Sequence, residues 1–129
     1  MTDQAIEQEI QAEGKTAARV TPTDLQANIV GEHYFNASHG VIGRKWVHAD
    51  GNDELDGVGI AEDDLHQSLY LLTFCVLVLR NGFTVTGESA CASPENFDPE
   101  IGRKIARQNA EQKIWPLMGY ELRSKLAGN

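Results

Sequence analysis

Residues 69–80, LYLLTFCVLVLR, are an almost unbroken run of aliphatic, aromatic and β-branched positions that stops at Asn81-Gly82. This dipeptide best tolerates positive φ at both central positions of a tight turn, and the alternating stretch 83–90, FTVTGESA, follows at once. The pattern predicts a long β-hairpin. A two-residue turn would set Arg80 opposite Phe83, Val78 opposite Val85, Val76 opposite Gly87 and Phe74 opposite Ser89. The other face would then carry Leu79, Leu77 and Cys75 against Thr84, Thr86 and Glu88. A strand apolar on both faces belongs inside a sheet or an oligomer interface, so the second strand is the one expected to turn a polar face outward.

Capping signals frame the hairpin. Thr21, Pro22 and Asp24 open a helix of two to three turns with Leu25, Ile29 and Val30 as its apolar positions and Gly31 at its end. His33, Tyr34 and Phe35 precede Gly40 and Gly43, and 41–48, with Arg44, Lys45 and Trp46, reads as a short strand. Residues 50–64 form a loop rich in acid and glycine. After a turn at Ser93-Pro94-Glu95-Asn96, Asp98 and Pro99 start a helix that runs to about Trp115, its apolar stripe of Ile101, Ile105 and Trp115 facing the hairpin. Pro116 should interrupt it, leaving 120–126 as a shorter closing helix. Residues 1–18 read as a weakly anchored helix or a flexible segment, and 19–129 as a single α+β domain. Its architecture would be an antiparallel sheet built on the central hairpin, packed with the C-terminal helix and assembled as a homo-oligomer.

Charge narrows the partners. With 11 basic and 19 acidic residues the chain carries a net charge of −8, which argues against polymeric nucleic acid or an anionic membrane, since both demand clustered cations. The acidic first fourteen residues lack the basic and apolar segments of a signal peptide, and the apolar run is far shorter than the ~20 residues of a membrane span. Two cysteines are too few for a disulfide framework, and together these features read as a cytoplasmic protein with reduced thiols.

The chemistry-bearing positions are few. Arg103 and Arg107 lie four residues apart and project from one helix face, with Lys104 beside them. Either Glu100 and Glu111 make this an ordinary solvated ion-pair face, or the two guanidinium groups hold an anion such as phosphate. The strand residues Thr84, Thr86 and Ser89 alternate with small neighbours around Gly87, which would let a ligand approach the backbone, although threonine is also simply a good strand former. Phe74, Phe83, Tyr34, Phe35 and Trp46 include stacking partners for a base, while Trp115 reads as structural. His33, His39, His48 and His66 show no zinc spacing, residues 50–61 fail as a calcium loop, and no nucleophile, base and orienting group are spaced together. No cofactor is implied.

The segments RVTPTDLQANIVGEHYF (19–35), LLTFCVLVLRNGFTVTGESACASPENFD (71–98) and EIGRKIARQNAEQKIWPLMGYEL (100–122) resemble a family of small tailed-phage and prophage proteins of formerly unknown function. That family is similar in turn to the first type of Thoeris anti-defence proteins, which bind and sequester cyclic ADP-ribose isomers made by TIR enzymes, and in some cases CBASS cyclic oligonucleotides, without cleaving them. The resemblance implies a non-enzymatic homo-oligomer, a dimer or a hexamer, with its ligand at a subunit interface. It assigns Arg103 and Arg107 to the phosphates or ribose, Thr86 as a polar contact, Phe74 or Phe83 as the aromatic near the base, and Asn96 as a further contact. The alternatives are a phage regulator that docks on a host protein and a nucleotide phosphodiesterase.

Overall fold

The computed structural model describes residues 2–15, 17–47 and 67–128. Helices α1 (Asp3–Ala12) and α2 (Pro22–Ala27) precede strand β1 (Ile29–Asn36) and helix α3 (Ala37–Val47). Strands β2 (Leu72–Leu79) and β3 (Thr84–Ala90) follow, then a 3₁₀ turn at Pro94–Asn96 and the long helix α4 (Pro99–Leu126). The fold is α+β: one antiparallel sheet in the order β1-β2-β3, with α4 laid across β3 and β2. The hairpin forms as expected. Its first strand is the middle strand of the sheet, which accounts for its apolar character on both faces. The acidic loop 50–64, His48 and His66 lie outside the described residues. No helix among those described is long and apolar enough to cross a membrane.

The hairpin turn is one residue longer than the two-residue form. Gly82 alone takes positive φ (89°), and Asn81 does not, so the type I′ geometry is absent. Instead the Gly82 amide donates to the Leu79 carbonyl at 2.9 Å and the Leu79 amide to the Phe83 carbonyl at 2.8 Å. Arg80, Asn81 and Gly82 therefore form a three-residue loop, with the Asn81 side chain accepting from the Phe83 amide at 2.9 Å. The register shifts by one: Val78 faces Thr84, Val76 faces Thr86, Cys75 faces Gly87 and Phe74 faces Glu88. This overturns the predicted pairing, and with period two it exchanges the partners on each face. Cys75, Leu77 and Leu79 share the covered face with Val85 and Gly87, all buried, whereas Phe74, Val76 and Val78 share the other with Thr84, Thr86 and Glu88.

Helix α4 meets the covered face through small residues. Gly102, Ala106, Ala110 and Ile114 recur every fourth position and are its buried residues. A Cβ on Gly87 would lie 2.1 Å from the Ala106 carbonyl oxygen and 2.3 Å from the Ala110 amide. What approaches the backbone of β3 at Gly87 is therefore the backbone of α4, and not a ligand as the small neighbours had suggested. Ile101 and Ile105, expected to face the sheet, are 54% and 43% exposed, because the small-residue stripe lies about 100° around the helix from each of them. Trp115 does pack against the core. Helix α4 also continues through Pro116. Pro116 and Gln112, whose carbonyl loses its partner, are both exposed, so solvent can satisfy the freed acceptor and the helix need not break.

Three other local readings change. Helix α2 has the capping box expected at its start, the Thr21 hydroxyl accepting from the Asp24 amide and the Asp24 carboxylate from the Thr21 amide, but it stops at Ala27. Ile29 and Val30 belong to β1, where pairing with β2 outweighs their helical spacing. Residues 41–47 are helical, not a strand. Their start signal is reciprocal: the His39 amide donates to the Asn36 side-chain oxygen at 2.9 Å and the Asn36 amide to His39 Nδ1 at 3.3 Å. Helix α1 is tied down by a Glu7–Arg19 ion pair and by Trp115 Nε1 donating to Asp3 at 3.2 Å, though none of its residues is buried.

Replacing Gly87 with alanine is expected to lower stability by about 3 kcal/mol or more, because two backbones would have to separate. Gly119→Ala in the same helix, with nothing within 4 Å of the new Cβ, should be neutral or stabilising by up to ~1 kcal/mol. Urea titration of the two variants measures the contrast.

Candidate functional site

The close seating of α4 on β3 carries its next residues over β1. Arg103 and Arg107 follow Gly102 and Ala106 directly, so each leaves the helix beside the buried stripe, on the flank facing Glu32, Tyr34 and Asn36. One turn apart, the two guanidinium groups reach different surroundings.

Arg107 is fully engaged within the chain. It pairs with Glu32 of β1, its Nε donates to Glu111 at 2.8 Å, and its terminal nitrogen donates to the Gln26 side-chain oxygen of α2 at 2.9 Å. Gln26 in turn donates to Glu111 at 3.2 Å. The predicted i,i+4 pair with Glu111 is present, and the cluster joins three elements, which gives Arg107 a structural role that spacing alone does not reveal.

Arg103 makes no hydrogen bond or ion pair among the described residues. It opens onto a cavity of about 230 Å³ bounded by Tyr34, Phe35, Asn36 and His39 from β1 and α3, by Tyr70 and Thr73 before and within β2, and by Phe97 and Pro99 at the entry to α4. Tyr70 and Phe97 meet edge to face with centroids 5.0 Å apart, and Phe35 stacks on Phe74 at 5.4 Å and 20°. Asn36 and Thr73 are buried. Among the described residues no carboxylate lines this cavity. The contrast with a larger cavity of about 480 Å³ is direct: its walls hold Arg19, Arg80 and Lys125, but also Asp24 and Glu121, and all three cations already have partners. Arg19 pairs with Glu7, Arg80 donates to the Ala27 carbonyl at 2.8 Å, and Lys125 pairs with Glu121 at 3.1 Å.

Burial pushes the Tyr34 phenol above its ordinary range, with the Cys75 thiol and Glu111 adding to the rise and Arg103 opposing it. Burial also raises the Cys75 thiol, against the effect of its hydrogen bond with Tyr34. Both groups therefore stay neutral at physiological pH, and since the Tyr34 hydroxyl donates to Glu32 at 3.4 Å, what Tyr34 brings to the cavity is an uncharged aromatic ring. Both cysteines are free thiols, Cys91 donating to the Ser93 carbonyl at 3.1 Å. Among the described residues no group of three or more His, Cys, Asp or Glu side chains is placed to hold a metal ion.

The remaining sequence-predicted residues are dispersed. Phe74 touches the cavity only through its stack on Phe35 and, with Thr86, belongs to the sheet face turned away from α4. Within one chain these two residues lie across the sheet from Arg103. Phe83 sits at the hairpin tip, 57% exposed, and Asn96 is exposed in the 3₁₀ turn. Sequence reasoning had singled out Tyr34 and Phe35 as aromatics but missed His39, Tyr70 and Phe97. The Asn-x-x-His spacing of a helix cap was the available signal for the first, whereas the other two meet only through tertiary packing.

Arg107→Ala should cost about 1–2 kcal/mol, because it leaves Glu32 and Glu111 without their shared cation, while Arg103→Ala should stay within about 0.5 kcal/mol of the parent. Chemical denaturation separates the two. The folded chain retains the Cys75 and Tyr34 protons that the unfolded chain gives up, so their contribution is present below the ordinary thiol pKa of about 8.5 and is lost as pH rises through their elevated folded values. Melting temperature should thus fall progressively above about pH 9, with the onset moved higher in Cys75→Ala.

No curated protein and no solved structure matches this chain. A family model described as phage protein (N4 Gp49/phage Sf6 gene 66) matches residues 20–126, a span that begins just before α2 and takes in the whole sheet, the Arg103 cavity and α4. The chain belongs to this phage protein family.

Proposed function

We propose that this protein binds a small cyclic nucleotide immune signal, a cyclic ADP-ribose isomer or a cyclic oligonucleotide, and sequesters it without cleavage as a phage anti-defence protein. The observation that carries the reading is a cavity on an acidic protein that joins an uncommitted guanidinium to four aromatic rings and, among the described residues, has no carboxylate in its lining. Arg offers planar paired donors to a phosphate, the rings offer faces to a base, and no described carboxylate stands in the cavity to repel an anion. Membership in a phage family agrees with this reading, and the ligand class is the one implied by the sequence resemblance to Thoeris anti-defence proteins. At about 230 Å³ the cavity is smaller than the ~300–1,000 Å³ typical of complete ligand sites. In this reading it is one half of a site, and a second copy supplies the Phe74 and Thr86 face across the interface.

Isothermal titration against cyclic ADP-ribose isomers and cyclic di- and trinucleotides should reveal one tight ligand, recovered chemically unchanged after heat release. Arg103→Ala should weaken it by about tenfold or more, as expected for loss of a charge-assisted hydrogen bond, with little change in melting temperature. Failure of the whole panel to bind would overturn the proposal, and recovery of altered ligand would make the protein an enzyme.

A further inference from the structure

We infer that His39 is a ligand-contacting residue of the Arg103 cavity, presenting a fixed Nε2–H donor to the same anion; the inference rests on the proposed binding role of that cavity.

The argument begins at the start of α3. Asn36 is the N-cap and His39 the third helical residue, and the two exchange hydrogen bonds: His39 N–H to Asn36 Oδ1 at 2.9 Å, and Asn36 N–H to His39 Nδ1 at 3.3 Å. A reciprocal cap of this kind is ordinarily completed by glutamate or glutamine, since a negative or neutral acceptor suits the positive end of a helix. An imidazole in that place has one further property. Because Nδ1 accepts from the Asn36 amide, the neutral ring must carry its proton on Nε2.

Asn36 is itself buried at 8% exposure, which holds the cap, while the exposed His39 ring is held by its Nδ1 bond to the Asn36 amide. His39 lines the cavity together with Arg103, and its Nε2 has no hydrogen-bond partner among the described residues. The chain thus has 19 acidic residues yet sets an imidazole, a poorer cap than glutamate, at the wall of a cavity that no described carboxylate lines. A donor at the cavity wall would serve an oxyanion, and glutamate there would repel one. With Arg103 it makes two donors from different elements, α3 and α4, which discriminate phosphate-bearing ligands from neutral nucleosides.

Two substitutions separate this role from simple capping. His39→Gln keeps both an acceptor for the Asn36 amide and a distal N–H, whereas His39→Glu keeps the acceptor but removes the donor and adds negative charge. For whichever cyclic nucleotide the wild type binds, His39→Gln is expected within about threefold of its affinity. His39→Glu should lose about 100-fold at an equal or higher melting temperature. Equal affinity of His39→Glu and wild type, or equal loss in both variants, would overturn the inference while leaving the binding function in place.

The second measurement is independent of the nucleotide. Long-range ¹H–¹⁵N spectra of the histidine rings should show the Nε2–H tautomer of His39 in the free protein, with its Nε2 resonance moving on titration with inorganic pyrophosphate. If no nucleotide binds, the proposed function falls and this titration alone judges His39. A moving resonance supports the donor role, and the opposite tautomer or an unmoved resonance overturns it.

Discussion

The contact on which the rest of the molecule depends is that of two backbones. At Gly87 the main chain of β3 lies against the main chain of α4 at Ala106 and Ala110, closer than any side chain would permit. Such an approach replaces interdigitating large residues with many short-range dispersion contacts, each small and all sensitive to a displacement below 1 Å. It also sets the helix low on the sheet. Arg103 and Arg107 therefore stand directly over β1, and Ile101 and Ile105 are left outward where a helix seated on large side chains would have buried them.

Two arginines one turn apart on that helix have opposite fates, and proximity to acid decides between them. Arg107 lands where Glu32, Glu111 and Gln26 converge, so its donors are satisfied within the chain and its charge ties α2, β1 and α4 together. Arg103 lands among rings and amides. On a protein of net charge −8, a recess that no described carboxylate lines, beside a guanidinium without a partner among the described residues, is where the proposed reading seats a small anion.

The one-residue difference in the hairpin turn is equally consequential. Because side chains alternate, moving the pairing by one residue exchanges every cross-strand neighbour between faces. It brings Gly87 onto the face with Cys75, where α4 needs it, and it places Thr86 beside Val76 on the face with Phe74. Ser89, opposite the buried Thr73, shares the α4 side, but Thr84 and Thr86 are separated from the arginines of α4 by the thickness of the sheet. A site that uses both must draw them from two chains.

Local signals in the sequence determined the hairpin, the start of α2 at Thr21, the start of α4 at Asp98 and the α+β class, because each depends on neighbours within a few residues: caps, an Asn-Gly turn and apolar runs. The i,i+4 pairing of Arg107 with Glu111 was legible for the same reason. What only the tertiary structure decided were properties of distant residues meeting. Ile29 and Val30 become strand because β2 offers an open edge, the Gly102–Ala106–Ala110 stripe outranks Ile101 and Ile105 because Gly87 admits a backbone, and Tyr70, Phe97, His39 and Arg103 share a cavity because β1, α3, β2 and α4 converge there. Spacing along a chain specifies which residues share a face; how closely two faces approach, and which charges then find partners, is set by packing.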